Sequence, residues 1–498
     1  MSNTPIGISG LAVHVPPLRV DLGEWCGWTG QEPDKITQVV GTGFRLPGPQ
    51  QSVYTMAANA ILRLIDNYDI DPATVRFLAL GTESSTDNSA GAVIIKGMVD
   101  EVLQSRGRDG FSRNCEVPEF KHACLGGIYA LKNAIRFLST DGRGSRAIVV
   151  CSDIALYGLG SSGEPTQGAG AVAMLLEENP QIAAIDLAES GSASDYRGVD
   201  FRKPIQYSNG SGHVIAASNI PVFNGRYSAS CYIDEMQRAL EDMYARRGIA
   251  PAECMDDVAA VFMHRPFKRM PENGWGMTWL FGLATDVADG HKLLAELSDA
   301  AGVEFAALLE EIQQPPNVTA FGVHERIREE VFPLTSKVLR AARGSAAWNA
   351  AVKDRITLGA KQMEELGNLY TGALPAWFAA GLEEAAARNV DLTGKEVLLM
   401  GYGSGDAAEV IPVHMQPGWQ AATARIDMAG AMNSGASLAR HTVLNRSSAN
   451  PCASAAIRLA VAGAMRMASA QRASSMCPMP ASASSSSKSV WTGLPLAA

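Results

Sequence analysis

The sequence predicts a layered α/β protein with a mostly buried sheet, and three observations support this. Short apolar runs of strand length alternate with segments of helical periodicity. The apolar runs are nearly continuous, as expected for strands that are covered on both faces. The order of strands and helices in the first part of the chain recurs weakly in the second, which predicts two related halves.

The first half, residues 1–190, contains the clearer pattern. Its predicted strands are residues 6–15, Val75–Leu80, the short Val117–Phe120, Ala147–Cys151 and Ala171–Leu176. Its predicted helices are Gln51–Tyr68, Gly91–Leu103 and a helix opened by the stretch around Cys124, in which Ile128, Leu131, Ile135 and Leu138 share one face.

The second half, residues 191–427, repeats this order around a largely helical insertion at about 271–360. Val258–Met263 is a strand that ends in His264, as the earlier strand ends near Glu83. Leu366–Gly372 opens an amphipathic helix, and Glu396–Met400 is the strand that follows it. Helices are expected within the insertion at Leu293–Ile312 and Val323–Ala342. The repeat would place Cys124 and Asn368 at equivalent helix starts.

Composition restricts the class of protein. With 47% apolar and 19% charged residues the chain is globular rather than disordered. A net charge of −9 argues against nucleic acid as the main partner, but it permits a local basic rim. Neither a signal peptide nor a membrane span is visible. Eight cysteines without CxxC pairs resemble neither a disulfide framework nor a zinc site, so a reduced, cytoplasmic protein without a metal is expected.

The last residues, 428–498, have a different composition. All 51 acidic residues lie at or before Asp427. Residues 455–471 have the composition of a helix, and disorder is expected from about 472. A basic tail of this kind would suit a binding partner, but an extension without function or a shifted reading frame is the simpler account.

Cys124 is the first candidate for chemistry. It lies among small residues just before the predicted helix, where unpaired N–H groups and the helix dipole favour an anion. A thiol at such a position has a lowered pKa and an accessible thiolate. Gly126 and Gly127 would let a bulky group approach the backbone. A buried structural cysteine is the alternative on local sequence alone.

Eight motifs in order resemble the 3-hydroxy-3-methylglutaryl-CoA (HMG-CoA) synthase family of the thiolase superfamily. Each motif is modest alone, and together they run from the N-terminus to about residue 427. The motifs are Gly81–Asp87, His122–Gly127, Asp153–Gly158, Gly163–Met174, Asp200–Pro204, His264–Phe267, Gly367–Gly372 and Tyr402–Gly405. The resemblance implies a duplicated, five-layer αβαβα thiolase-like fold.

The resemblance also implies a reaction and residues to perform it. Cys124 would attack acetyl-CoA to give an acetyl-S-enzyme, and Glu83 would remove a proton from the acetyl methyl group. His264 would polarise the ketone of acetoacetyl-CoA, and hydrolysis would release the product of this mevalonate-route step. The implied substrate-binding residues are Asn368, Ser404, Tyr157, Gly403, Lys268 and Arg269. No cofactor beyond CoA thioesters is expected, and a homodimer is implied.

Other readings remain open at this stage. Asn368 has the chemistry of a helix cap, and Tyr157 that of a packing residue. The same catalytic set would serve acyl groups on a carrier protein in polyketide β-branching, and Arg265, Lys268 and Arg269 would suit either a CoA phosphate or an acidic carrier. A ketoacyl synthase III-type Claisen enzyme would not need Glu83 as a methyl base. A silent acyl-CoA-binding scaffold is the alternative outside enzymes.

The chain also departs from the family pattern. Leu125 follows the cysteine where an aromatic residue is common, and Arg269 stands where lysine is usual. Asn224 replaces a usual aspartate. These departures concern the exact acceptor and the way the acyl carrier is held.

Overall fold

The computed structural model describes residues 4–200, 205–208, 214–218, 221, 224–323 and 326–433, with only the backbone described in 205–208 and 214–218. The predicted helix at 455–471 and the predicted disorder from about 472 lie outside these residues. Within the described ranges, no helix is both long and apolar enough to span a membrane.

Fourteen strands are described. They are β1 (Ile6–His14), β2 (Leu18–Asp21), β3 (Gly43–Leu46), β4 (Val75–Gly81), β5 (Glu119–Phe120), β6 (Arg146–Ala155), β7 (Gly168–Glu178), β8 (Ala183–Ile185), β9 (Gly191–Ser194), β10 (Ile205–Ser208), β11 (Val214–Ser218), β12 (Ala260–Met263), β13 (Glu396–Gly403) and β14 (Ala407–Met415).

Seventeen α-helices are described, with short 3₁₀ or π turns between some of them. They are α1 (Leu22–Thr29), α2 (Pro33–Val39), α3 (Val53–Tyr68), α4 (Gly91–Ser105), α5 (Gly126–Ser139), α6 (Gly225–Arg247), α7 (Pro251–Asp257), α8 (Arg269–Thr285), α9 (Asp289–Ala301), α10 (Phe305–Gln313), α11 (Val318–Val323), α12 (Pro333–Ala342), α13 (Ala346–Trp348), α14 (Ala360–Met363), α15 (Ala373–Ala387), α16 (Trp419–Thr423) and α17 (Met428–Asn433).

The sheet shows the duplication directly. β4 and β6 are parallel, β7 is antiparallel to β6, and β1 is antiparallel to β7. The second half has the same pattern, with β12 parallel to β13, β14 antiparallel to β13, and β9 antiparallel to β14. β8 pairs with both β1 and β14 and joins the two sets. The predicted α/β class and the internal repeat are therefore confirmed.

Helices cover both faces of the strands. α3 and α4 form a core with one face of the first set, through residues such as Ile61, Leu80 and Val150. Side chains on the opposite face, such as Ala79 and Val149, share a core with α5, α15 and the second set of strands. α6 contacts β9, β14 and β13 on the far side. This order gives the five layers αβαβα, and the two sequence-equivalent helices α5 and α15 lie in the middle layer.

The predicted helices of the insertion were too long. Leu293–Ile312 is divided between α9 and α10, because Gly302 takes a left-handed conformation (φ +60°) that ends α9. Within the predicted Val323–Ala342, the helix α12 begins only at Pro333, whose ring suits the first turn of a helix and not its interior.

A buried ion pair links the middle layer to the second set of strands. Lys132 on α5 donates to the Glu409 carboxylate on β14, and the exposed fractions of the two side chains are 8% and 4%. Ser192 also donates to Glu409, at 2.8 Å. A buried pair contributes little net stability, but removing one partner leaves a buried charge without its counter-ion.

We therefore expect Lys132→Met to lower the free energy of unfolding by about 3 kcal/mol, as measured by urea titration. Adding Glu409→Leu should restore most of this loss, because neither charge is then buried. Arg388→Met is the matched control, since Arg388 pairs with Glu384 at the surface and such pairs are worth less than about 1 kcal/mol. Equal effects of the buried and surface changes would contradict this account.

Candidate active site

The loop after β4 carries Glu83, and a buried carboxylate on β6 holds this loop. Asp153 is fully buried, and its Oδ1 accepts hydrogen bonds from the Thr82 hydroxyl (3.0 Å), the Glu83 N–H (2.8 Å) and the Ser84 N–H (2.8 Å). These hydrogen bonds fix the backbone at Glu83 to the neighbouring strand β6, and so they fix the position from which the Glu83 side chain extends.

The other oxygen of Asp153 holds the second half of the chain. Asp153 Oδ2 accepts from the Thr371 N–H at 3.0 Å and from the Thr371 hydroxyl. The Thr371 hydroxyl also contacts the Gly81 carbonyl oxygen at 3.0 Å. One carboxylate therefore joins the Glu83 loop to the turn that follows Asn368. Asp153 is not among the site residues predicted from the sequence, although an acid at the end of a buried strand, within the motif Asp153–Gly158, is a signal that could have identified it.

Cys124 and Glu83 are brought together. The Cys124 Sγ lies 3.1 Å from Glu83 Oε2 and donates to it. Cys124 is half-buried and lies two residues before α5, so the prediction that it lies at a helix start is confirmed. A thiol beside a carboxylate is the arrangement required for nucleophilic attack with a nearby base.

The two glycines after the cysteine have a different use from the one expected. A Cβ on Gly127 would lie 2.3 Å from the Cys151 Sγ, and a Cβ on Gly126 would lie 2.6 Å from the Phe120 carbonyl oxygen. They let the start of α5 approach the protein's own strands closely. Leu125 is fully buried, and its side chain lies against Gly401 and Gly403 of β13. The unusual residue after the cysteine therefore packs in the core.

Tyr157, Tyr370 and Asn368 surround the cysteine. Cys124 packs against a small cluster that contains Tyr157 and Tyr370. The Tyr157 hydroxyl forms hydrogen bonds with Tyr370 and Asn368, and burial is the main cause that raises its pKa. Tyr157 therefore lies beside the cysteine, and its role in substrate binding stays a prediction.

Asn368 does not cap α15. Its Oδ1 accepts from the Tyr370 N–H at 2.8 Å, and its own N–H donates to the Thr166 carbonyl oxygen at 3.0 Å. A 3₁₀ turn, Tyr370–Gly372, separates Asn368 from α15, which begins at Ala373. Cys124 and Asn368 were predicted to lie at equivalent helix starts. Both precede the middle helix of their half, but Cys124 lies two residues before α5 and Asn368 lies five residues before α15.

His264 follows β12 and is buried. Its N–H donates to the Met400 carbonyl oxygen at 2.8 Å, and its own carbonyl oxygen accepts from the Tyr232 hydroxyl at 2.9 Å. The ring is stacked on Tyr402, with centroids 6.5 Å apart and planes at 26°. Burial lowers the pKa of His264 to about 3, so the imidazole is neutral near pH 7.

The end of β13 places Gly403 beside the cysteine loop. A Cβ on Gly403 would lie 2.4 Å from the His122 carbonyl oxygen, and the His122 ring is hydrogen-bonded to the Gly403 backbone. Ser404 lies in the turn between β13 and β14, directly after this contact. His264 and Gly403 both lie at the carboxyl ends of the neighbouring parallel strands β12 and β13, and Gly403 lies against the loop that carries Cys124.

The three basic residues predicted to hold a CoA phosphate or an acidic carrier, Arg265, Lys268 and Arg269, do not form a common exposed rim. Arg265 is 5% exposed, and its guanidinium lies 5.0 Å from the centre of the Trp377 ring, so the expectation that it presents its charge to a CoA phosphate or an acidic carrier was wrong. It is buried because it follows a buried strand under α15. Lys268 Nζ pairs with Glu364 at 3.0 Å, and Arg269 pairs with Glu272 at 3.3 Å. A role for Lys268 and Arg269 in holding a CoA phosphate stays a prediction.

Comparison with known proteins agrees with this geometry. The model of the hydroxymethylglutaryl-coenzyme A synthase N-terminal domain matches residues 3–181, and that of the C-terminal domain matches residues 333–447. The second match continues beyond Asp427, where the sequence resemblance was expected to end. The duplicated fold defines a condensing enzyme of the thiolase superfamily.

Individual relatives show the family in detail. The hydroxymethylglutaryl-CoA synthase of Haloferax volcanii is 27% identical over 420 residues, which cover 84% of this chain and 85% of that protein. That of Enterococcus faecalis is 26% identical over 416 residues, which cover 83% and 84%. The structure of MvaS in complex with 3-hydroxy-3-methylglutaryl coenzyme A has a TM-score of 0.68 and 27% identity, and covers 87% of this chain and 89% of that one. The chain belongs to the hydroxymethylglutaryl-CoA synthase family.

A carrier-protein enzyme shares the fold. The curacin-pathway HMG synthase in complex with acetyl donor-ACP has a TM-score of 0.63 at 18% identity, and covers 88% of this chain and 87% of that one. At this identity the likeness establishes the fold alone.

The buried imidazole predicts a pH dependence of stability. A histidine in the unfolded chain has a pKa of about 6.5, whereas the pKa of folded His264 is about 3. Between these values the unfolded chain binds a proton that the folded protein excludes, so this group lowers stability as the pH falls below about 6.5, by roughly 1.4 kcal/mol per pH unit. We expect His264→Gln to reduce the loss of stability between pH 6.5 and pH 5, as measured by urea titration. Identical losses in both proteins would contradict a neutral buried imidazole.

Proposed function

We propose that this protein condenses acetyl-CoA with acetoacetyl-CoA to give HMG-CoA and free CoA, through an acetyl-S-Cys124 intermediate. The observation that carries the proposal is the 3.1 Å contact between Cys124 Sγ and Glu83 Oε2. It places a carboxylate beside the sulfur that carries the acetyl group, where it can reach the methyl group on the carbonyl carbon of that thioester.

In the first step the Cys124 sulfur attacks the thioester carbon of acetyl-CoA. The new S–C bond forms as the bond to the CoA sulfur breaks, and the departing CoA takes up the thiol proton. Splitting the reaction at this covalent intermediate replaces one difficult step by two easier ones. Tyr157 and Asn368, which are hydrogen-bonded to each other beside the cysteine, position the acyl group.

In the second step Glu83 removes a proton from the acetyl methyl group. The resulting enolate attacks the ketone carbon of acetoacetyl-CoA and forms the new C–C bond. His264 is neutral, so its ring N–H polarises the ketone by hydrogen bonding and donates its proton as the alkoxide forms. The proton that Glu83 took from the methyl group then returns through solvent to the imidazole, so both groups regain their starting states. Gly403 and Ser404, at the end of β13, would support the acyl oxygen.

Hydrolysis completes the cycle. Water attacks the thioester carbon at Cys124, the C–S bond breaks, and the product leaves with a new carboxylate while the thiol is restored. Each step is a proton transfer, an acyl transfer or the addition of a carbon nucleophile to a ketone, and none needs an external oxidant or reductant, so the proposal requires no cofactor besides the CoA thioesters. A place in the mevalonate route follows from this product.

The same contact separates this proposal from two alternatives. A Claisen enzyme of the ketoacyl synthase III type has no need for a carboxylate at the reacting sulfur, and a silent scaffold has no need for a thiol, a carboxylate and a buried histidine. Carrier-protein substrates are the closer alternative, because Lys268 and Arg269 would suit either donor.

Labelled substrates test the mechanism. With [¹⁴C]acetyl-CoA, we expect label on Cys124 in the wild type, label without condensation in Glu83→Ala, and neither in Cys124→Ala. Condensation should fall by at least about 100-fold in Glu83→Ala, the usual scale for losing a general base. Cys115→Ser, which alters a buried cysteine outside the site, is the control and should react normally.

The outcomes distinguish the alternatives. Absence of label on wild-type Cys124 would contradict the covalent mechanism. Near-normal condensation by Glu83→Ala would favour the Claisen reading, and transfer of label only to an acetoacetyl carrier protein would favour polyketide β-branching.

We further propose a cytoplasmic homodimer that forms through the edge of the sheet at β5. The two residues of β5 lie at one end of the strand order, and the start of α4 is attached to them by a hydrogen bond from the Gly91 N–H to Glu119 Oε2 (2.9 Å). The first turn of α4 exposes Val93 (49%) and Ile94 (36%). The six described cysteines form no disulfide with one another, which suits a reducing compartment.

Light scattering after gel filtration tests the dimer. We expect Ile94→Lys to convert a dimer into a monomer, because a charge would then be buried at the interface. Val287→Lys is the control, since Val287 is 77% exposed on the helical insertion. A wild-type monomer, or a dimer that Ile94→Lys leaves intact, would contradict this interface.

A further inference from the structure

A buried charge cluster lies next to the ring that supports His264. Arg197 is 1% exposed as a side chain, and its guanidinium contacts four carboxylates. Its Nη1 lies 3.0 Å from Glu235 and 3.3 Å from Asp406, and its Nη2 lies 3.2 Å from Asp195 and also pairs with Asp234. We call these five residues, Arg197, Asp195, Asp234, Glu235 and Asp406, the Arg197 cluster.

The Arg197 cluster holds the turn between β13 and β14. The Asp406 N–H donates to the Asp195 carbonyl oxygen at 2.7 Å, and the Asp195 N–H donates to the Asp406 carbonyl oxygen at 3.2 Å. The Arg197 N–H donates to the Gly405 carbonyl oxygen at 2.9 Å. Backbone and side-chain contacts therefore fix the Asp406 carboxylate from one side.

From its other side, Asp406 fixes an aromatic ring. The Tyr402 hydroxyl donates to Asp406 Oδ1 at 2.8 Å and lies 3.2 Å from Asp200 Oδ2. Tyr402 stacks on the His264 ring, and Tyr232 packs edge-on against Tyr402, with centroids 5.1 Å apart. Tyr232 in turn donates to the His264 carbonyl oxygen. A continuous series of contacts thus runs from Arg197 through Asp406 and Tyr402 to His264.

We propose that Arg197 and Asp406 are positioning residues for the condensation step, which hold Tyr402 so that the His264 imidazole is directed at the ketone of the second substrate. This inference rests on the proposed function. It assigns a role to two residues that touch neither Cys124 nor Glu83 among the described contacts, so it concerns C–C bond formation and not acylation of the cysteine.

The Arg197 cluster contains more buried acidic groups than buried basic groups, which makes the protonation of Asp406 dependent on pH. Asp234, Glu235, Asp406 and the neighbouring Asp200 are buried, and among the described residues Arg197 is the buried cation that pairs with members of this group. Burial, followed by the nearby Asp200 carboxylate, raises the pKa of Asp406 to about 8, and burial raises the pKa of Glu235 to about 7. The titratable groups that face Asp406 are Arg197, Asp200, Tyr227, Cys231, Tyr402 and, through Arg197, Glu235.

The raised pKa favours the protonated form of Asp406 at neutral pH. As a neutral acid Asp406 is hydrogen-bonded to Asp200, and the Tyr402 hydroxyl contacts both carboxyl groups. Loss of this proton above about pH 8 would remove the hydrogen bond between Asp406 and Asp200, so the two groups that hold the Tyr402 hydroxyl would no longer be held together. An asparagine at 406 is neutral at every pH and has nearly the same shape.

Acylation of Cys124 and condensation with acetoacetyl-CoA are measured separately, because the inference concerns condensation alone whereas the proposed function requires both. Acylation is measured as labelled acetyl on Cys124. Condensation is measured by adding acetoacetyl-CoA to the isolated acetyl-enzyme. Because the Cys124 sulfur is already acylated in that species, titration of the thiol does not affect the condensation rate. We expect Arg197→Met to acylate within about twofold of the wild type and to condense at least about tenfold more slowly. Arg238→Met is the matched control, since Arg238 pairs with Asp234 and Asp195 on the same cluster but has no described contact with Asp406.

Asp406→Asn keeps the inference testable if Arg197→Met does not fold. The wild-type condensation rate should decline above about pH 8, and in Asp406→Asn this decline should be absent. Equal losses of acylation and condensation, or an unchanged pH profile in Asp406→Asn, would overturn the inference. A wild-type protein that neither takes up label nor condenses would instead contradict the proposed function.

Discussion

The site depends on one buried carboxylate, that of Asp153. Its two oxygens accept hydrogen bonds from opposite halves of the duplicated fold, one from the Glu83 loop and the other from Thr371. A carboxylate that accepts several N–H and O–H groups stays in place without a counter-ion, because its charge is solvated by these donors. The relative position of Glu83 and the Asn368 turn is therefore set by a single side chain, and the duplication of the fold is what gives this side chain two loops to hold.

The chemistry at the site depends on how burial sets protonation. His264 is excluded from water and stays neutral, so it acts on a ketone as a hydrogen-bond donor and not as a cation. The Arg197 cluster behind Tyr402 contains more buried acid than buried base, and so retains protons near neutral pH. Lys132 and Glu409 are also buried, but there each charge is compensated by its partner in an ion pair. These groups are buried between packed layers of the fold, where water has little access.

Much of the fold and the candidate site was accessible from sequence, for a physical reason. Buried strands and one-faced helices have local patterns, so β4, β6, α3 and α5 were predicted within a few residues, and small motifs identified Cys124, Glu83 and His264. The helices of the insertion were extended too far, since apolar spacing continues across Gly302 and across the residues before Pro333. Asp153 was missed because nothing local shows which donors will surround an acid.

The sequence by itself determined the α/β class, the duplication, the family, and the residue types available for acyl transfer. These properties follow from local periodicity and from the order of short motifs, and neither depends on contacts between distant segments. Only the tertiary structure decided that Cys124 and Glu83 touch, that Gly126 and Gly127 make room for the protein's own strands, that Leu125 and Arg265 are buried, and that Asp406 supports the ring behind His264. Each of these facts depends on contacts between segments far apart in the chain, and burial and charge at such contacts have no signature in either segment alone.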